Sequence, residues 1–540
     1  MSDSLPTVAI ALARLLRNAG VRHVFGVPGE DHLRLLDAFV EEGLEYVTAV
    51  SEGAAAFMAI AAAERNGGIG VATAGIAPGI TNAMNGIASA YLDHVPLLVI
   101  TGQHHSTRQP VIVRQGMDNR AIVHGVTKAA FTVSQHVHQV MATVMEVAKA
   151  APAGPVFVEL RDEVAQLPCL DSGEGWEEFG RAPRALSDEA VAALAERLAR
   201  ARRPAIVVGG IGYSEADRQA LKSLAATFRA PVFSTPSAKG TVPRDVAFDA
   251  GTFLNGNLEA ELLDQADLLV AVNVDARDFF NRAWPYSMPV VAIDRERSTQ
   301  RFIPHAREHV ADLETVVPVL VSTAGSAAIQ SEWGEADVRR YRAGVRARFI
   351  SDDGRLTMPN ALELIRRRAP EDSVVAIDAG FAKPLTSYLW ETNEPASFLS
   401  AHGLSTMGYA IPAANGAKVN EPGRTVIGMM GDGSLMMRAS EMAAAVARGV
   451  APIYVAWMDG LLTQIEVKQR RAGWETVGLA LQPSSCEALA AAFGGEGYDV
   501  RSLADLDRAM TAALVANRPS LIGVHIDQGR RDEWFDLIRG

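Results

Sequence analysis

An apolar run from Thr425 to Met430 leads into Gly431-Asp432-Gly433-Ser434, and Asp459 follows 27 residues after Asp432. Between them lie a helical pattern, Glu441 to Arg448, and a second apolar run, Pro452 to Trp457. Strand, glycine turn, helix and strand make a βαβ unit, and the turn opens where helix N–H groups can meet phosphate. Carboxylates at the carboxyl ends of neighbouring parallel strands suit a hard divalent cation with oxygen ligands. The spacing therefore predicts a site for a diphosphate-bearing cofactor and its Mg²⁺.

The N-terminal third carries further motifs. Tyr46 to Val50 reads as a strand, after which Ser51-Glu52-Gly53-Ala54 opens a helix. Phe25-Gly26-Val27-Pro28-Gly29 lies upstream and Pro78-Gly79-Ile80-Thr81-Asn82 downstream. Taken with the Gly-Asp-Gly-Ser segment, their order and spacing resemble the thiamine-diphosphate enzymes of the acetolactate synthase, pyruvate decarboxylase and benzoylformate decarboxylase superfamily. The resemblance covers nearly the whole chain.

It implies thiamine diphosphate and Mg²⁺ as cofactors. Glu52 falls on the carboxyl group that hydrogen-bonds the aminopyrimidine ring, although a lone glutamate in a first helical turn commonly just complements the helix dipole. Pro78 and Asn82 fall on cofactor-binding positions. Gly403-Leu404-Ser405-Thr406-Met407-Gly408 resembles the segment that bends the cofactor, with Met407 as the apolar wedge and the Ser405 carbonyl facing the 4′-amino group. Gly431, Gly433 and Ser434 would line the diphosphate. Asp432, Asp459 and the Leu461 backbone carbonyl would bind the metal. Two departures stand out: Asp459 replaces the family's usual Asn, and Gly380-Phe381-Ala382 replaces a Gly-Gln-His contact to the diphosphate.

The same resemblance bears on the reaction. Gln115 falls on the acetolactate synthase catalytic glutamine and Lys128 on its lysine, while Arg114 stands where that family has Phe; it could bind an anionic substrate or face solvent. Glu30, directly after the Phe-Gly-x-Pro-Gly motif, matches the acidic residue of pyruvate-decarboxylase-like enzymes and could relay a proton. His104 and His105 follow a strand end, where ligands gather in open α/β sheets, and Gln464 and Glu466 are read as pointing toward incoming substrate. The implied activity is decarboxylation of a 2-oxo acid with transfer of the acyl anion to a carbonyl acceptor; the alternative is a decarboxylase that releases an aldehyde. Homodimer or homotetramer assembly is expected. Flavin, common among acetolactate synthases, is disfavoured but left open, because Val272-Asn273-Val274-Asp275-Ala276-Arg277 matches the flavin-contact segment poorly.

Bulk properties agree with a globular enzyme. The 540 residues are 48% hydrophobic and 21% charged, too long a chain for one core and natural for three domains. A net charge of −12 argues against nucleic acid or an anionic membrane as partner. The two cysteines, Cys169 and Cys486, lie far apart without metal-ligand spacing, which implies no disulfide framework or zinc site. No secretory leader pattern or spanning apolar run is apparent, so a cytoplasmic protein is expected.

Alternating helix and strand patterns predict an α/β chain of three doubly wound parallel-sheet domains. Residues 1–168 are expected to bind the pyrimidine, 189–325 to form a central domain and 355–540 to bind diphosphate and Mg²⁺, with a helical connector between the last two. Gly209-Gly210-Ile211-Gly212 lacks the third glycine of a dinucleotide fingerprint and reads as a tight strand-to-helix turn.

Overall fold

The computed structural model describes residues 5–107, 111, 113–171, 183–297, 302–304, 306–325, 328–482 and 484–539. Its strands form three six-stranded sheets, all of whose pairings are parallel. The first contains β1 (His23–Gly26), β2 (Glu45–Thr48), β3 (Gly70–Ala74), β4 (Leu97–Gln103), β5 (Ala129–Thr132) and β6 (Pro155–Arg161). The second contains β7 (Pro204–Val208), β8 (Val232–Ser234), β9 (Asp249–Thr252), β10 (Leu268–Val272), β11 (Val290–Asp294) and β12 (Arg307–Val310). The third contains β13 (Val374–Ile377), β14 (Phe398–Ser400), β15 (Val426–Gly431), β16 (Ile453–Trp457), β17 (Glu496–Val500) and β18 (Ser520–Val524). Interior strands such as β7, β10 and β16 are buried at every residue, as helices on both faces require.

The first and third sheets share one plan. Their orders, β2-β1-β3-β4-β6-β5 and β14-β13-β15-β16-β18-β17, are identical once renumbered. In each, the chain reverses direction beside its first strand, between β1 and β3 or between β13 and β15. Ligands of open α/β sheets bind in the crevice outside such a switch point. The middle sheet, ordered β12-β11-β10-β7-β8-β9, reverses between β10 and β7.

Helices Glu52–Asn66 and Ala410–Asn420 each follow the second strand of their sheet, and they pack against each other. Small residues allow a close approach: a Cβ on Gly416 would lie 2.3 Å from the Met58 carbonyl oxygen. Phe57 and Tyr409 meet edge to face with centroids 5.3 Å apart. At the far ends, Asn66 and Asn420 exchange two amide hydrogen bonds of 2.8 and 2.9 Å. Equivalent helices joined through equivalent terminal residues give the chain a local quasi-two-fold axis.

Two features qualify the expectations from sequence. Gly-Asp-Gly-Ser is not a free turn ahead of a helix at 441. β15 passes directly into a helix, Asp432–Arg438, because Gly431 at its N-cap is extended and the Asp432 carboxylate accepts the Gly433 N–H at 2.8 Å. Helix Glu441–Arg448 then follows separately. The connector region does contain a helix, Glu335–Phe349, but Val338, Tyr341, Val345 and Phe349 bury one face of it in the core shared by the second and third sheets.

The Gly209-to-Gly212 segment turns the chain into helix Glu215–Phe228, capped by Ser214. Side chains of the chain itself bridge the strand ends at this switch point. The Tyr213 hydroxyl donates to the Gly209 carbonyl and accepts from Asn273 at 3.1 Å. The Arg295 guanidinium lies 4.9 Å from the Tyr213 ring centroid and donates to Gly212 at 2.7 Å and Asp217 at 2.6 Å. Among the described residues, no helix is long and apolar enough to cross a membrane.

Candidate functional site

Two groups of side chains gather at the switch points of the outer sheets. In the first unit, β2 ends at Thr48 and Ser51 caps helix Glu52–Asn66, its hydroxyl accepting the Ala54 N–H. Glu52 therefore occupies the first helical position. Its carboxylate accepts a 2.6 Å bond from Asn82 Nδ2 and lies beside Gly79, where a Cβ would stand only 3.1 Å from Oε1. Pro78 and Asn82 belong to helix Pro78–Asp93, with Pro78 at its first position, where its missing N–H costs nothing. The residue before it, Ala77, has φ of 54° and ψ of −90°, and its N–H is fixed by buried Asn119 at 3.2 Å.

The second group surrounds the switch point of the third sheet. Asp432 closes β15 against the loop after β16: its Oδ2 accepts the N–H groups of Asp459 at 3.2 Å and Gly460 at 2.7 Å. Asp459 accepts from the Leu461 N–H at 3.1 Å and from the Thr463 hydroxyl. Burial and, secondarily, the Asp432 charge push Asp459 up to about 6, and burial raises Asp432. A donor set that both effects strain toward protonation fits a hard dication, whose charge would relieve both. Gly433 packs under Met407 and Leu462, with room for no side chain: a Cβ would meet Met407 Cε at 3.1 Å and Leu462 Cδ2 at 3.0 Å. Ser434 is buried.

Asp378, at the carboxyl end of β13, was not among the residues singled out from sequence. It is buried and accepts three N–H groups, from Gly408 (3.1 Å), Tyr409 (2.6 Å) and Ala410 (2.9 Å). It thereby fixes the end of the Ser405–Met407 segment against the sheet. Burial nevertheless pushes it up to about 6. Ser405 itself has φ of 52°, a strained setting for a residue with a side chain. Glu441 was also missed; its carboxylate accepts from the Val50 N–H and the Ser51 hydroxyl, both at 3.1 Å. Arg438 donates to the same hydroxyl at 2.7 Å, and Asn85 reaches Thr406 at 3.2 Å. Both carboxylates act on backbone N–H groups far away in sequence, so no local motif marked them.

Other expected residues make separate contacts. Gln115 and Arg114 are exposed, with Gln115 at φ of 59°. Glu30 is exposed, and its neighbour Asp31 turns inward to accept the N–H groups of Ile76 (3.2 Å) and Gly102 (3.1 Å). Lys128 caps helix Val137–Lys149 through the carbonyls of Val147 and Ala150. His105 is engaged by Thr107, and the His104 N–H donates to the Gln103 side chain. Glu466, read as pointing toward incoming substrate, is buried and held by Arg470 and Arg531, each at 3.1 Å.

Comparison with known proteins agrees with this layout. Residues 6–129 match the family description "thiamine pyrophosphate enzyme, N-terminal TPP binding domain", residues 191–320 the central domain and 378–524 the C-terminal TPP binding domain. A probable 2-ketoarginine decarboxylase from Pseudomonas aeruginosa is 29% identical over 525 residues, covering 96% of this chain and 93% of that protein. The acetolactate synthase isozyme 2 large subunit of Escherichia coli is 29% identical over 537 residues, with 95% and 94% covered. A Mycobacterium bovis acetolactate synthase is 30% identical over 470 residues, 84% of this chain and 76% of that one. The solved Rhodococcus jostii thiamine-diphosphate-dependent 4-hydroxybenzoylformate decarboxylase shares the fold, with a TM-score of 0.82 at 22% identity over 97% of this chain and 99% of the other.

Proposed function

Because this chain belongs to the thiamine pyrophosphate enzyme family, we propose that it decarboxylates a 2-oxo acid and ligates the resulting acyl anion to an aldehyde, ketone or second 2-oxo acid. Decarboxylation with thiamine diphosphate is common ground among its relatives; ligation is the finer step of this reading. When bound, thiamine diphosphate would supply a nucleophilic C2 and a cationic thiazolium ring able to take up the electron pair left when CO₂ departs.

Glu52 holds and exchanges a proton at the pyrimidine ring, and Asn82 orients its carboxylate through the 2.6 Å bond. Met407 sits as a wedge against Gly433, and Ser405 offers its carbonyl to the amino group. Asp432, Asp459 and the Leu461 carbonyl hold Mg²⁺, while Gly431, Gly433 and Ser434 line the diphosphate. Pro78 presents the helix that carries Asn82. Gln115 and Glu30 are assigned to the substrate side, where an acceptor must be oriented and a proton moved. Because each of these two is exposed in a single chain, we assign them to a cleft completed by a second copy. No flavin is included in this reading, since the segment from Val272 to Arg277 matches the flavin-contact segment poorly.

The observation that carries the proposal is the pairing of two half-sites at equivalent switch points, Glu52 with Asn82 and Asp432 with Asp459. The similarity to a probable 2-ketoarginine decarboxylase favours a second reading, decarboxylation with simple protonation of the product. A panel of 2-oxo acids, each supplied first alone and then with an aldehyde acceptor, separates the two. CO₂ with a C–C coupled product supports ligation; CO₂ with aldehyde alone supports the second reading; no CO₂ from any member sinks both. An absorption spectrum of the purified protein without a flavin band is expected.

A further inference from the structure

Away from both half-sites, and against the expectation drawn from cysteine spacing, the end of the first unit brings together three donors of different chemistry. We propose that His138, Cys169 and Asp171 form a zinc site, tetrahedral with a water as fourth ligand, that fastens the chain leaving the first sheet to helix Val137–Lys149. His138 stands in the first turn of that helix, while Cys169 and Asp171 follow β6 and the short helix Asp162–Ala165. The three ligand atoms lie within 4.8 Å of one another.

The backbone already holds these residues in place. The Cys169 N–H donates to the Pro6 carbonyl and the Leu170 N–H to that of Gln135, each at 2.8 Å. Asp171 Oδ2 accepts the Gln139 N–H at 3.0 Å, which leaves Oδ1 turned toward the other two donors. Oδ1 lies 2.9 Å from His138 Nδ1 and 3.0 Å from Cys169 Sγ, and Sγ lies 3.7 Å from Nδ1. Zinc bonds of about 2.0 Å to nitrogen and oxygen and about 2.3 Å to sulfur place tetrahedral ligand atoms about 3.3–3.6 Å apart. The sulfur–nitrogen separation is already there, and Oδ1 need retreat by only about half an ångström.

Donor type and access agree with this assignment. A thiolate, an imidazole and a carboxylate form a mixed set that suits Zn²⁺, whereas Mg²⁺ and Ca²⁺ prefer oxygen alone. Cys169 is 2% exposed, while the His138 and Asp171 side chains are each 19% exposed, which leaves an opening for the ion and its water. On binding, the Sγ–H bond is replaced by Sγ–Zn and one proton leaves to solvent. The imidazole stays neutral, carrying its hydrogen on Nε2 so that Nδ1 can ligate.

The test uses the full-length protein, stripped by chelator and titrated with Co²⁺ in the presence of excess Mg²⁺ to keep the all-oxygen site filled. The expected result is one equivalent of Co²⁺ per chain with a thiolate-to-cobalt charge-transfer band and intense tetrahedral visible bands, all displaced by Zn²⁺. C169S should abolish the charge-transfer band, and H138Q should weaken binding at least about tenfold, with 2-oxo acid decarboxylation unchanged in both. No band in the parent protein would reduce the cluster to hydrogen bonds alone and overturn the proposal. A band that survives in C169S would do the same, because the remaining thiol is Cys486, buried in a different core. If C169S does not fold, H138Q decides: undiminished affinity overturns the site.

Discussion

Glu52 and Asp378 are both carboxylates at strand or helix ends, yet they ask for different tests. A glutamine at 52 keeps the size of the side chain and can still face Asn82, but it cannot exchange a proton with the cofactor. We expect Glu52→Gln to slow C2–H/D exchange of bound thiamine diphosphate by at least about 10²-fold, with cofactor affinity changing far less; NMR after acid quench reads the exchange. Unchanged exchange would leave Glu52 as a helix-terminus residue only. For Asp378, burial raises the folded value to about 6, above the ordinary 3.8. The stability it contributes is therefore complete below about 3.8 and lost as pH rises through 6. Asp378→Asn should gain stability relative to the parent between about pH 4 and pH 7, while kcat falls because Gly408 loses its carboxylate acceptor and Met407 loosens. Denaturant titrations that give the same difference at both ends of that window would show that Asp378 titrates normally.

At the scale of elements, the strand-to-loop crossings decide the metal half-site. The loop after β16 is pinned to β15 through Asp432 and is shaped internally by Asp459, so ligand geometry and loop geometry are one problem. Asp459→Asn keeps one oxygen for the ion and should remain active. Asp459→Leu removes both the ligand and the acceptor for Leu461 and Thr463, and should lose Mg²⁺ and cofactor in equilibrium dialysis; equal retention would place the second ligand elsewhere. The β15–helix–β16 unit was legible because its strands are continuous apolar runs. In the first two sheets, the strands that no apolar run announced are β5, β9 and β12, and all three are edge strands. Edge strands have one neighbour and bury less, so residues such as Arg307, Glu308 and His309 of β12 can be polar. The candidate site was legible in its motifs, such as Glu52 with Asn82. Asp378, Glu441 and Asp31 were not, because their work is to hold backbone N–H groups distant in sequence, and no local pattern records that.

For the whole molecule, Glu52 and Asp432 occupy separate units, and the proposed function has each reach one end of a single cofactor. Large apolar side chains stand exposed on three segments: Val113 and Met117 around Gln115, Met436 and Met437 after Ser434, and Trp474 after helix Thr463–Arg471. Exposed apolar side chains of this size suit burial against another protein surface. We therefore expect an isologous homodimer as the smallest active species; activity in a strictly monomeric fraction, measured by light scattering with an in-line assay, would refute it. Within each chain, Gly416→Val should destabilise by at least the roughly 1–3 kcal/mol of ordinary overpacking, because the obstructing atoms belong to the Met58 backbone; chemical denaturation measures it.

The seam between helices Glu52–Asn66 and Ala410–Asn420 also governs how this sequence can drift over generations. A larger residue at Gly416 has no room, because the atoms it would meet are Met58 backbone, which no change on the partner helix removes. If Asn66 is lost, the amide of buried Asn420 keeps neither of its partners. Mutations here must therefore arrive in matched pairs or be purged, so that two stretches some 350 residues apart are inherited almost as one character.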